Sequence, residues 1–165
     1  MPMANQKTLE DLFLDTLKDV YHGEKQALRA YPRIVKTIDD DDLKQAFETH
    51  REETEGQIER LDQIFEMLGK PARGKTCEAV QGLIEEAKEV MSDFKGSPAL
   101  DAGVIAAAQA IEHYEISRYG TLRTWANELG MKDAAKLLEQ TLKEESRTDE
   151  KLTKLAEKAA NKKAA

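Results

Sequence analysis

The chain has 165 residues, 35% of them charged and only 5% aromatic, with a net charge of −7. That length suits one domain with a substantial core, and a composition rich in Ala, Glu, Lys and Leu points to an all-α protein. The acidic balance argues against a nucleic-acid surface, and no stretch approaches the ~20 apolar residues of a membrane span.

The start, "MPMANQKTLEDLF", has no basic region followed by an apolar run, so no signal peptide is expected. The first helix should span about 8–37, with Thr8 as N-cap and Glu10 and Asp11 in its first turn. Pro32 is expected to kink it near residues 30–31. "DDDD", Asp39 to Asp42, supplies turn and cap residues for a second helix over about 41–68, which Gly69 and "GKPARGK" stop. The lone Cys77 rules out an intramolecular disulfide and fits a cytoplasmic location.

A shorter amphipathic helix follows over about 78–94, carrying Val80, Leu83, Ile84, Ala87, Val90, Met91 and Phe94 on one face. Ser97 and Pro98 open a fourth helix to about 128, and "ELGM" closes it with Gly130 just past its end. The fifth runs over about 132–160, and the Lys-rich "EKAANKKAA" reads as its frayed end. Two helical hairpins joined by a connection with its own helix make a four-helix bundle about 40 Å long.

Helical phase then asks which acids face inward. In "AIEHYEISRYG", Glu112 and Glu115 share a sector of about 80° with Ile105, Ala108 and Tyr119. Glu24 is the only acid in the middle of the first helix's stripe of Leu17, Val20, Ala27, Leu28 and Tyr31. Glu145 is central among Leu138, Thr141, Leu142 and Leu152; Asp149 lies about 40° off, as a nearby acceptor. The second helix's stripe centres on His50, with Glu53 about 70° away. His22 and His113 point mostly outward and read as solvated.

Counted along their helices, Glu24, Glu53, Glu115 and Glu145 all lie ~21–24 Å from the turn of their hairpin. A single core-facing Glu usually snorkels, and a single core His is usually a satisfied packing residue. Acids from four helices at one level cannot all stay ionised in a dry core, and the nearest cation, Arg60, is a turn or two away. Divalent cations resolve the conflict. Carboxylates with one imidazole suit iron or manganese, and bridging carboxylates suit two ions. The candidate ligands are Glu24, His50, Glu53, Glu112, Glu115 and Glu145.

These residues resemble the ferritin-like di-iron carboxylate proteins, and the second glutamate of "EHYE" resembles the extra acid of rubrerythrin. More closely, "LKDVYHGEKQ", "HREETEGQIERL", "GLIEEAKEV", "IAAAQAIEHYEISRYGTL" and "AAKLLEQTLKEESRTDEKLT" are similar to the YciE/YciF stress-protein family over nearly the whole chain. The resemblance implies a rubrerythrin-like bundle, two bound iron ions with manganese as the alternative, a homodimer and a bacterial stress context. It implies no settled activity. The chain departs from the pattern where a histidine usually follows three residues after the second ligand of each pair: Gly56 and Thr148 stand there. Nothing resembles an iron–sulfur module, for which Cys77 alone is insufficient.

Two kinds of function remain in view. One is a non-haem oxidoreductase that oxidises iron or reduces peroxide or dioxygen, with Tyr31 or Tyr119 donating a hydrogen bond near the metals. The other is a dimeric structural protein whose metals only stabilise the bundle.

Overall fold

The structure, a computed structural model, describes residues 6–165; the first five residues, part of the stretch read above for a signal peptide, lie outside the described residues. Five principal helices carry the fold: α1 (Leu9–Val35), α2 (Asp41–Met67), α3 (Glu78–Asp93), α4 (Leu100–Glu128) and α5 (Lys132–Leu155). No strand occurs among the described residues.

Local chemistry sets the ends. The Thr8 hydroxyl accepts the Asp11 N–H while the Asp11 carboxylate accepts the Thr8 N–H at 2.8 Å, so two orphan donors are satisfied reciprocally. Asp40 caps α2 by accepting the Leu43 N–H at 2.8 Å. Gly69 and Gly130, with φ of 62° and 72°, end α2 and α4 in the left-handed conformation that costs glycine nothing.

Three boundaries differ from expectation. α1 contains Pro32, as expected, but stops at Val35 rather than about 37; so late in a helix, proline sacrifices little more than one ladder bond. α4 begins at Leu100, because Ser97 and Pro98 remain in the preceding turn, where the Ser97 hydroxyl accepts the Ala99 N–H at 3.1 Å. α5 gives way to a π turn over Ala156–Ala160 and a last short helix, α6 (Asn161–Ala164). The wider turn rephases the helix, and Ala160 packs in the same core as Leu152.

Around the bundle, α1 packs on α2, α2 on α5, α5 on α4 and α4 on α1, so α1 and α5 face each other diagonally. α3 lies across α1 and α4, burying Val80, Ile84 and Ala87. Two close approaches seat it: a Cβ on Gly23 would stand 3.1 Å from Val80, and one on Gly103 2.6 Å from Val90. The connection before α3 is pinned to α1 by the Lys75 N–H on the Lys18 carbonyl and the Cys77 N–H on His22 Nδ1.

The core falls into two apolar halves. One gathers Phe13, Leu17, Leu61, Phe65, Leu122 and Leu138; the other gathers Ala27, Phe47, Leu43, Val104, Ile105 and Leu152. Each large side chain buried there contributes about 1.5–3 kcal/mol. Between the halves every bundle helix turns a polar residue inward.

Candidate metal centre

The centre sits at mid-height because each helix carries a polar residue in phase with its apolar stripe. Glu24 follows Val20 and precedes Ala27 on α1; His50 follows Phe47 on α2; Glu112 and Glu115 follow Ala108 on α4; Glu145 follows Thr141 on α5. All five are buried.

One donor atom from each of His50, Glu112, Glu115 and Glu145 lies within 4.8 Å of the others. His50 Nε2 stands 2.9 Å from Glu112 Oε1 and 3.8 Å from Glu145 Oε2. The shorter approach is not aligned as a hydrogen bond, so Nε2 has no hydrogen-bond partner among the described residues. The ring is held from its other edge, where Thr148 Oγ1 is 3.1 Å and Glu53 Oε2 3.5 Å from Nδ1. Glu24 is not one of these four converging donors; it is buried on α1, where it accepts the Tyr119 hydroxyl at 2.5 Å.

The electrostatics are strained without a cation. Burial pushes the Glu24 carboxyl up to about 7, despite the Tyr119 hydrogen bond and the attraction of His50. Glu115 lies well above the ordinary carboxylate range, raised by burial and then by the charges of Glu24, Glu145 and Glu112. Glu145 is raised likewise, by burial and then by Glu112. Burial would lower His50, but Glu112 and Glu145 outweigh it and hold the imidazole well above its usual value. Glu112 goes the other way: burial raises it, but the charge of His50, 2.9 Å away, leads the opposing effects that bring it below normal. One ion pair therefore forms, and the other carboxyls are driven towards neutrality.

Residues 8–165 match the family described as a domain of unknown function, DUF892. Protein YciF of Escherichia coli K12 is 50% identical over 161 residues, covering 97% of each chain. The chain belongs to the DUF892/YciF family. The crystal structure of the E. coli stress protein YciF superposes with a TM-score of 0.90 at 49% identity, over 95% of this chain and 99% of that one. YcfI of Rhodopseudomonas palustris, described as a candidate structural protein, gives 0.87 at 44% identity, over 93% and 98%. The fold is thus the family's ferritin-like helical bundle.

Whether the site suits a metal is tested by its orphaned atoms. Six buried carboxylate oxygens have no hydrogen-bond partner among the described residues: Glu24 Oε2, Glu112 Oε2, both of Glu115 and both of Glu145. Neutral acids would need partners for these oxygens, and ionised acids would need counter-charge. Hard oxygen donors with one imidazole fit iron, manganese or another divalent ion of that class. The donor set fits, and the cluster could hold a metal ion.

The remaining expected residues are placed as follows. Glu53 lies at the edge, its side chain 25% exposed, shared among His50, Thr148 and Arg147. Asp149 is not beside the cluster; it accepts Gln109 at 3.2 Å and pairs with His113 at 3.0 Å on the outer seam of α4 and α5. His113 points outward as expected, its side chain 68% exposed. His22 is half-buried, because its Nδ1 accepts the Cys77 backbone. Helical phase named Arg60 as the nearest cation but missed its pairing: it reaches inward to bind Glu144 at 2.6 Å and Thr141 at 2.9 Å, with Gln57 donating to the same carboxylate. It also missed Asp101, buried where it accepts the Asp39 and Asp40 N–H groups.

Proposed function

We propose that the bundle holds two divalent transition-metal ions, iron or manganese, and acts as a stress-response oxidoreductase on ferrous iron, peroxide or dioxygen. The observation that carries this reading is the set of six buried carboxylate oxygens without partners, drawn from α1, α4 and α5 and facing one imidazole from α2. Glu24, His50, Glu112, Glu115 and Glu145 are the ligands. Glu53 is the sixth candidate, at the solvent edge. Such ions, when bound, supply one-electron redox chemistry and a positive charge that leaves every carboxylate ionised.

The protein's own residues do the rest. Thr148 and Glu53 hold His50 through Nδ1, which leaves Nε2 turned to the centre, the arrangement a ligating imidazole needs. Tyr119 holds Glu24 in place through its hydroxyl, which burial keeps protonated. The two apolar halves exclude bulk water from above and below. No helix among the described residues is long and apolar enough to cross a membrane. Cytoplasmic work and a homodimer complete the proposal.

The second reading has its own support in the description of YcfI: the metals lock the bundle and no turnover occurs. Metal analysis of protein purified without added ions, followed by stopped-flow mixing of the ferrous form with peroxide or dioxygen, separates the two. About two transition ions per chain and an oxidant-dependent spectrum support the redox reading. Bound ions with unchanged spectra support the structural one. Sedimentation tests the homodimer.

A further inference from the structure

Beneath α3, between α1 and α4, lies a small apolar pocket that ends on the centre. Phe47, Met91, Val104 and Ile111 line it together with two polar residues, Tyr31 and Glu112. Its free volume is about 10 Å³, room for one water-sized molecule. Tyr31 is buried, its ring edge-on to His50, and its hydroxyl has no hydrogen-bond partner among the described residues.

This lining discriminates by polarity. A water needs two to four polar partners, and a peroxide with two O–H groups needs at least as many. A cation entering here would lose its hydration against hydrocarbon walls. An uncharged diatomic loses almost no solvation and finds dispersion contacts, with one free O–H on the same wall. Polar reactants are better matched to the edge of the centre between α2 and α5, where the Glu53 side chain is 25% exposed.

We propose that the pocket beneath α3 is the binding and entry site for dioxygen, delivering it to the Glu112 side of the centre. This rests on the redox reading of the centre, but the pocket itself is testable without metal.

The test is methyl NMR of the metal-free protein under oxygen pressure. Paramagnetic relaxation should rise at Met91, Val104 and Ile111 several-fold more than at Leu17 and Leu138, which are buried in the opposite half. Ala107→Leu and Ala87→Leu, which fill the pocket from α4 and α3, should remove the difference; Met91→Ala should enlarge it. Uniform enhancement at all buried methyls, or an ordered water in the pocket that oxygen does not displace, overturns the proposal even in a protein that binds two metal ions. The contrast supports the pocket even if metal analysis fails, so the two readings fall separately. In the ferrous protein, Ala107→Leu should slow oxidation by dioxygen at least about tenfold and leave oxidation by peroxide unchanged. Equal slowing with both oxidants contradicts it.

Discussion

Glu24→Gln should stabilise the metal-free protein above neutral pH while weakening its hold on metal. In the folded chain Glu24 titrates at about 7, from an ordinary value of 4.5, because burial disfavours its charge. The folded state therefore keeps a proton that the unfolded chain has released. Stability from this group is full below pH 4.5 and drains away as pH rises through 7. At about 1.4 kcal/mol per pH unit, that loss reaches about 3 kcal/mol by pH 8. Glutamine keeps the shape, and its carbonyl can still accept the Tyr119 hydroxyl, but it has no charge to bury. Urea denaturation in the presence of chelator at pH 5 and pH 8 reads the effect. The wild type should lose about 3 kcal/mol or more between them, since Glu115 and Glu145 are raised in the same direction. Glu24→Gln should match it at pH 5 and exceed it by about 3 kcal/mol at pH 8, a melting difference of roughly 6–12 °C. Equal stability at both pH values, or a variant weaker at pH 8, refutes the reasoning.

Arg60→Ala leaves Glu144 buried with only Gln57 beside it, and should cost about 3 kcal/mol in urea denaturation. Gly103→Ala should destabilise the wild type by about 1 kcal/mol, because its Cβ would stand 2.6 Å from Val90 Cγ1. In a Val90→Ala background the same change should stabilise by about 1 kcal/mol, the helix propensity gained over glycine; an unchanged sign would mean that α3 is not seated there. Cys77 is buried at the start of α3 with its thiol pushed up by burial, so a thiol reagent should label it only after unfolding. Rapid labelling of the native protein would contradict its placement.

The centre was legible in the sequence wherever helical phase alone decides burial. Glu24, Glu112, Glu115 and Glu145 lie in the middle of apolar stripes, and a regular helix leaves them nowhere but inward. His50 was readable for the same reason, and the phase offset of Glu53 corresponds to its place at the solvent edge. Pairing across helices was not legible. Arg60 reaches Glu144 with a long side chain that phase cannot aim, and Asp101 is buried by backbone donors some sixty residues away in sequence. His22 was misread because its partner is the Cys77 backbone in a connection with no periodicity. The π turn after Leu155 lies in an Ala- and Lys-rich run whose residues favour any helix equally, so nothing local marks it.

The central claim is that carboxylates from α1, α4 and α5 meet around shared cations opposite His50. Anomalous-scattering maps collected across the iron and manganese edges, on crystals of protein purified without added metal, test it most directly. Two peaks bounded by Glu24, His50, Glu112, Glu115 and Glu145 are expected. Density showing those carboxyls bonded to one another, with no peak even after soaking in ferrous or manganous ions, would contradict it.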